Sequence, residues 1–200
     1  MNDTFGLILA GGQGRRMGGV DKARLQLAGR PLAAHAIARL GPQCGALALN
    51  ANGEAARFAA FGLPVLADDM VDAGPLAGVL AGLRLARENG FGFLCTLSVD
   101  APFAPDDLVA RLHAARRDAD ATMAVAASGG RRHHVVALWP IGLETELRRA
   151  LVEEGLRKAE TFVDRQAPAI ASWPAARHDP FFNVNRPDDL ARAEEMARSG

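Results

Sequence analysis

The chain has 200 residues, of which 49% are apolar and 23% are charged, a composition typical of a folded globular domain and not of a disordered or fibrous chain. Its 23 basic residues balance its 23 acidic ones, which argues against a general binder of nucleic acid or of membrane surfaces. The length is slightly above that of a typical domain, so we expect a single domain over residues 1–200.

Cysteine usage and the N-terminal residues bear on the cellular compartment. Cys44 and Cys95 both lie in apolar stretches without CxxC spacing, which predicts reduced core thiols and neither a disulfide nor a zinc site. No basic leader precedes the first apolar run, at 5–10, and no later stretch reaches the length of a membrane span. We therefore expect a soluble, cytoplasmic protein.

Strand and helix patterns alternate along the chain. Strands are predicted at 5–10, 45–50, 64–67, 91–99, 120–127, 133–139, 169–173 and 181–185. Helices are predicted at 31–40, 54–61, 74–87, 105–117, 142–153, 156–163 and from 187 onwards. This alternation predicts a three-layer α/β/α, Rossmann-like fold with a mostly parallel sheet, which a hairpin at 128–130 makes mixed. Ligands of such sheets bind beyond the carboxyl ends of the strands.

The segment that follows the first strand carries the strongest local signal. It has five glycines between residues 11 and 19, interleaved with the cations Arg15, Arg16 and Lys22. Glycines let backbone amides approach a phosphate closely, and the cations supply local positive charge, so the segment predicts a polyphosphate cradle. It is neither a dinucleotide GxGxxG motif, which Met17 interrupts, nor a P-loop, which would need Lys-Ser/Thr where 20–21 are Val-Asp.

The pattern LAGG-x-G-x-R-M-GG-x-DK resembles the signature of nucleotidyltransferases of the glycosyltransferase-A-like (nucleotide-diphospho-sugar transferase-like) fold. Within that group the chain is most similar to the molybdenum cofactor guanylyltransferase family. Further matching segments follow in the family's order: 25–32, Asn-Ala-Asn at 50–52, Gly-Pro-Leu-Ala-Gly at 74–78, Asp-Ala-Pro-Phe at 100–103, and 182–190. The chain departs from the family pattern at Ser98-Val99, where Pro-Cys is usual, and at His134, where proline is usual.

The resemblance implies transfer of GMP from GTP to molybdenum-molybdopterin, with release of pyrophosphate and with Mg²⁺ as the metal, Mn²⁺ being an alternative. Two other hypotheses remain open: a cytidylyl- or sugar-phosphate nucleotidyltransferase of the same fold, and a nucleotide-binding module without turnover. The pair Gly11-Gly12 favours guanylyl transfer, and the presence of both Lys22 and Asp100 disfavours a module without chemistry.

The resemblance also assigns the site residues. It implies catalytic roles for Arg16, Lys22 and Asp100, with Asp100 as the metal ligand. It implies GTP-binding roles for Leu9, Ala10, Gly11, Gly12, Lys22, Asn50, Asp68 and Asp100, and places Asn183 and Asn185 on the molybdopterin side. Asp69 and Asp72 compete with Asp68 for its role, and Arg15 and Arg24 read equally well as phosphate contacts and as solvated charges.

The N-terminal part is thus expected to bind GTP and the C-terminal part to face molybdopterin. Because the acceptor implied by the resemblance is fragile when free, we expect transient contact with a molybdenum-insertion protein and with a molybdoenzyme chaperone, and neither nucleic acid nor membrane as a partner. His133 and His134 lie side by side on a predicted strand, so their side chains point to opposite faces and cannot share one metal ion.

Overall fold

A computed structural model describes residues 3–11, 21–68, 70, 73–175 and 177–199. Within this part of the chain, nine strands follow one another: β1 Thr4–Leu9, β2 Gln26–Leu27, β3 Arg30–Pro31, β4 Ala46–Asn50, β5 Val65–Leu66, β6 Phe93–Ser98, β7 Ala124–Ser128, β8 Arg131–Pro140 and β9 Ala169–Trp173. The same residues form six α-helices: α1 Leu32–Leu40, α2 Pro75–Glu88, α3 Leu108–Asp118, α4 Glu144–Val152, α5 Ala159–Arg165 and α6 Pro187–Ser199. Among the described residues, none of the helices combines the length and the hydrophobicity that a transmembrane span requires.

Seven of the strands form one mixed sheet in the order β5-β4-β1-β6-β8-β7-β9. Neighbouring strands pair in parallel except for β8, which runs antiparallel to both β6 and β7. The predicted hairpin is formed by β7 and β8. Its second strand, β8, pairs with β6, and its first strand, β7, lies further from β6. The prediction of a mostly parallel, mixed sheet is confirmed.

Helices cover both faces of this sheet because its central strands are apolar on both sides. Along β1, Ile8 faces a core formed with α1 and α3, whereas Leu7 and Leu9 face a second core formed with α2, α4 and α5. A third, smaller cluster joins α6 to the β2–β3 hairpin through Leu27, Leu32, Val184 and Ala193. The three layers are those that the sequence predicts.

The structure corrects the prediction of a strand at 181–185, which form no strand. Their backbone N–H groups are taken by other partners: Phe181 N–H donates to Asp179 Oδ1 at 2.9 Å and Val184 N–H to the Asp100 carbonyl at 2.9 Å. The helix predicted at 54–61 is a 3₁₀ helix over Ala55–Phe61, and the short β2–β3 hairpin escaped prediction.

Both cysteines are unpaired, as predicted. Burial raises the pKa of the Cys44 thiol to about 12, and burial also raises that of Cys95. Both shifts favour the protonated thiol at neutral pH.

Candidate functional site

The carboxyl ends of three parallel strands meet at one edge of the sheet. Leu9 at the end of β1 is paired with Asn50 of β4 on one side and with Ser98 of β6 on the other. The chain leaves this edge through Ala10, whose N–H donates to the Asn50 carbonyl at 2.8 Å, and then through Gly11. Three of the backbone positions expected to bind GTP (9–11) thus lie where a ligand of such a sheet binds.

Lys22 and Asp100 meet at this edge although 78 residues separate them. Lys22 Nζ lies 3.2 Å from Asp100 Oδ2 and donates to Asn185 Oδ1 at 2.6 Å. Ser98 Oγ donates to the other carboxylate oxygen, Asp100 Oδ1, at 2.6 Å. Both side chains of the ion pair are largely buried, with 19% of Lys22 and 14% of Asp100 exposed. The site therefore holds one cation and one carboxylate in a fixed arrangement.

Asn50 and Asp68 form a second polar group beside the first. Asn50 Nδ2 donates to Asp68 Oδ1 at 2.8 Å and to the Leu66 carbonyl at 3.2 Å. Asn52 Nδ2 donates to Asp68 Oδ2 at 2.7 Å, and Asn52 Oδ1 accepts from the Asp68 N–H at 2.8 Å. Each carboxylate oxygen of Asp68 is thus held by one asparagine of the Asn-Ala-Asn segment.

The C-terminal segment closes the site on the side of Asp100. Val184 N–H donates to the Asp100 carbonyl, and the N–H groups of Asn185 and Arg186 both donate to Asp189 Oδ2, at 3.0 and 2.9 Å. Asn183 is half-buried in the same segment. Within this segment, the Asn185 side chain accepts the hydrogen bond from Lys22 described above.

A buried hydrogen-bonded chain lies beyond Asp100, where β7 ends and β8 begins. Ser128 Oγ donates to Asp179 Oδ1 at 2.6 Å, so the hydroxyl accepts from His133 Nε2, 2.7 Å away. The His133 ring also packs on Phe181, with 4.8 Å between ring centroids. Burial lowers the pKa of His133, and Asp179 opposes that shift. His134 lies on the other face of β8, as predicted, 3.7 Å from Asp164.

Among the described residues, two places offer ligands for a metal ion. One is Asp100, whose carboxylate already faces the ammonium of Lys22. The other lies away from this edge, where ligand atoms of His134, Glu160 and Asp164 fall within 4.8 Å of one another. Arg132 pairs with Asp164 there at 2.8 Å, so one of the three candidate ligands already has a cationic partner.

Several sequence predictions fall outside the described residues: Gly12, Arg15, Arg16, Asp69 and Asp72. Other contributors escaped the sequence reasoning. Ser98 appeared there only as a departure from the family pattern, and Asn52 only as part of a motif. Arg57 was not singled out, because a lone arginine in a short helix carries no sequence signal; it donates to the Asn52 carbonyl at 2.6 Å and lies 3.3 Å from Asp21.

The carboxyl edge of this mixed sheet thus gathers Gly11, the Lys22–Asp100 pair and the carboxylate of Asp68, the arrangement expected of an α/β protein that binds a nucleotide. Comparison with known proteins makes this specific. The chain belongs to the MobA-like NTP transferase domain family, whose model matches residues 6–169.

Similar proteins cover nearly the whole chain. It is 54% identical over 198 residues to the molybdenum cofactor guanylyltransferase of Rhodopseudomonas palustris strain BisB5, covering 97% of this chain and 94% of the relative. The protein of that name from Cereibacter sphaeroides is 50% identical, with 97% of each chain covered.

Two solved structures are also similar. Molybdopterin-guanine dinucleotide biosynthesis protein A from Archaeoglobus fulgidus has a TM-score of 0.76 at 25% identity, covering 98% of this chain and 100% of that one. The 2-C-methyl-D-erythritol 4-phosphate cytidylyltransferase from Thermus thermophilus has a TM-score of 0.68 at 21% identity, covering 96% and 98%. At that identity the second likeness concerns the fold alone.

Proposed function

We propose that this chain is a molybdenum cofactor guanylyltransferase, which transfers GMP from GTP to molybdenum-molybdopterin and releases pyrophosphate. The observation that carries the proposal is the Lys22–Asp100 pair at the carboxyl edge, in a chain 54% identical to an enzyme of that name. Transfer at phosphorus asks the protein mainly for positioning and for electrostatic stabilisation of the phosphate oxygens. Lys22 supplies a cation that can bind phosphate oxygens, and Asp100 supplies a carboxylate that can hold a metal ion.

GTP binds on the side of β1 and β4. The backbone of Leu9, Ala10 and Gly11 faces the base, and Asp68 accepts hydrogen bonds from the N1–H and N2–H₂ donors of guanine. An ionised carboxylate has about four lone-pair sites, of which Asn50 and Asn52 use two, so acceptor capacity remains on Asp68. Gly12 remains a predicted GTP-binding residue, and Arg16 a predicted phosphate contact.

Asp100 suits a magnesium ion, and Mn²⁺ would find the same oxygen donors there. Mg²⁺ usually binds one or two carboxylates together with substrate phosphates and waters, and Asp100 offers one carboxylate at the edge where the phosphates are expected. When bound, such an ion neutralises charge on the phosphate oxygens. Ser98 keeps the carboxylate oriented, and Lys22 exchanges its carboxylate partner for phosphate oxygens of the nucleotide.

The acceptor approaches from the other side of Asp100. Asn50 and Asp68 lie on the β4–β5 side of β1, whereas β6, β8 and the segment before α6 lie on the opposite side. This arrangement supports a division of labour in which the N-terminal part holds GTP and the C-terminal part, with Asn183 and Asn185, faces molybdopterin. The attacking oxygen is that of the acceptor's own phosphate.

We also propose two transient protein partners, because the molybdopterin acceptor is fragile when free in solution. They are the protein that inserts molybdenum and a chaperone of the apo-enzyme that receives the product. Pull-downs of the full chain against each partner, with and without GTP, test this. Binding to neither would overturn it.

The activity is tested by pyrophosphate release with GTP, CTP, ATP and UTP, each with and without molybdenum-molybdopterin. We expect release with GTP, dependent on the acceptor and on Mg²⁺. Release with CTP and not with GTP would instead make the protein a cytidylyltransferase. Binding of a nucleotide without release under any condition would make it a binding module.

A further inference from the structure

Arg57 makes three contacts around the candidate site. It lies in the 3₁₀ helix Ala55–Phe61, where its guanidinium is 4.7 Å from the Phe58 ring centroid. Its Nη2 donates to the Asn52 carbonyl at 2.6 Å, and its Nη1 lies 3.3 Å from Asp21 Oδ2. Only 30% of the Arg57 side chain is exposed, so most of its surface is in contact with the protein.

The contact with Asp21 leads to the cation of the site. Asp21 Oδ1 accepts from the Ala23 N–H at 3.1 Å and so caps the turn Lys22–Arg24. Asp21 Oδ2 is buried and finds no hydrogen-bond partner among the described residues, so Arg57 supplies its charge compensation. Because Lys22 is the first residue of the capped turn, fixing Asp21 fixes the backbone from which Lys22 reaches Asp100.

The contact with Asn52 leads to Asp68, the carboxylate that the proposed function places at the guanine base. Arg57 holds the Asn52 backbone carbonyl, and the Asn52 side chain holds Asp68 by two hydrogen bonds. The Arg57 guanidinium therefore contacts two loops. One loop leads to Lys22, on the phosphate side of the proposed site, and the other holds Asp68, on the base side. A lysine could not do both, because its single ammonium lacks the forked donors and the planar face that packs on Phe58.

We propose that Arg57 is a positioning residue of the nucleotide site: by clamping Asp21 to Asn52 it sets the spacing between Lys22 and Asp68 that a bound nucleoside triphosphate requires. The inference rests on the proposed function in that a nucleoside triphosphate is the ligand, but it does not depend on turnover. Arg57 does not contact the ligand; it acts through the residues that do.

The test is the dissociation constant of GTP, measured by calorimetry on the full chain for Arg57→Ala, Arg57→Lys, Asp21→Asn and the double variant Arg57→Ala/Asp21→Asn. We expect Arg57→Ala to weaken GTP binding about tenfold, the size of the coupling found within one ion-pair and hydrogen-bond network. Arg57→Lys should recover only part of that loss. The double variant should have a GTP dissociation constant no higher than that of the single variant that binds GTP less tightly, because both substitutions break the same contact.

Arg87→Ala is the matched control. Arg87 pairs with Glu144 at 3.0 Å near the end of α2, which begins at the carboxyl edge and ends away from it. This variant should lower the melting temperature and leave the GTP dissociation constant unchanged. A melting curve for every variant identifies any that fails to fold. If Arg57→Ala does not fold, the GTP dissociation constants of Asp21→Asn and Arg57→Lys are used instead.

Two results would overturn the inference while leaving the proposed function intact: wild-type GTP affinity in folded Arg57→Ala, or losses that multiply in the double variant. If the wild-type chain binds CTP and not GTP, the guanine assignment fails and the Arg57 comparison is made with CTP. If it binds none of the four nucleoside triphosphates, both proposals are wrong.

Discussion

At the scale of single residues, the charged side chains described at the candidate site, Lys22, Asp68 and Asp100, are held by partners within the protein. Both carboxylate oxygens of Asp100 have a partner, Ser98 on Oδ1 and Lys22 on Oδ2. Asn185 gives Lys22 a second acceptor. Groups held in this way lose little further freedom when substrate binds, which is the preorganisation that electrostatic catalysis requires.

Asp100→Asn separates catalysis from nucleotide binding. The variant removes the charge that would hold the metal ion, and such ions contribute several kcal/mol of transition-state stabilisation, so turnover should fall about a thousandfold. In metal-free buffer, however, GTP should bind at least as tightly as to wild type, because Lys22 has lost a competing carboxylate and keeps Asn185. Single-turnover rates and calorimetry with EDTA measure the two effects.

Two comparisons complete this test. Lys22→Ala should weaken GTP binding and also slow transfer, since its charge acts in both ground and transition states. Asp106→Asn is the matched control, because Asp106 is an exposed carboxylate paired with Arg39 at 2.8 Å. If Asp100→Asn turns over near the wild-type rate, the metal lies elsewhere, with Asp68, Asp69 and Asp72 the next candidates.

At the scale of elements, α2 approaches the carboxyl edge so closely that glycine is needed at its contact with β4. A Cβ on Gly78 would lie 2.1 Å from Asn50 Oδ1 and 3.0 Å from Leu9 Cδ2. Gly82, one turn later, has a similar contact, but with Leu7 Cδ2 at 2.6 Å in the hydrophobic core. The same helix thus supports the site at one glycine and the core at the next.

Gly78→Ala and Gly82→Ala therefore form a matched pair. Both should lower the free energy of unfolding, since overpacking typically costs about 1–3 kcal/mol, while the higher helix propensity of alanine returns up to about 1 kcal/mol. Only Gly78→Ala should also weaken GTP binding, because it pushes Asn50 away from Asp68. Urea unfolding and calorimetry on both variants measure this. Equal GTP affinities would show that Asn50 is not held by this contact.

At the scale of the whole molecule, two histidines with lowered pKa couple the stability of the fold to pH. Burial, followed by Arg116 and Arg117, lowers the pKa of His113, whose ring lies 2.8 Å from Thr4 Oγ1. The pKa of His133 is lowered by burial and by its neighbours Arg131 and His134, against the effect of Asp179. Each ring contacts a segment that is distant in the chain, so its protonation should change the free energy of unfolding of the whole domain.

The direction of the pH effect follows from these shifts. A histidine whose folded pKa lies below its unfolded value binds protons more readily when unfolded, so its contribution to stability is present above pH about 6.5 and is lost as pH falls below it. We expect the free energy of unfolding to decrease between pH 7.5 and 5.5, and less steeply in His133→Gln, whose amide can still donate to Ser128.

Urea unfolding at four pH values measures the slope, with His113→Gln as a second, independent variant. The two substitutions should each flatten the slope, and their effects should add because the two rings contact different described residues, Thr4 and Phe93 for His113 and Ser128 and Phe181 for His133. Slopes identical to wild type in both variants would contradict the assignment of these groups.

The order of elements could be predicted from the sequence because its signals are local. Continuous apolar runs marked β1 and β6, a Ser-Gly-Gly turn marked the hairpin, and Pro-Asp-Asp marked the start of α6. Glycines and cations after β1 indicated a phosphate site, and strand ends carrying Asn50 and Asp100 pointed to one edge of the sheet. Periodicity and turn chemistry depend on a few neighbouring residues, so one sequence is enough to read them.

What the sequence by itself determined was therefore the fold class and the layers, and it named Lys22, Asn50, Asp68 and Asp100 as candidate residues at one edge of the sheet. Only the tertiary structure decided how those residues are joined. Asn185 reaches Lys22 across 163 positions, Arg57 clamps two loops, and residues 181–185 bond to side chains and to a loop carbonyl instead of forming a strand. Contacts between distant segments depend on how the helices and sheet pack, and no local pattern encodes that.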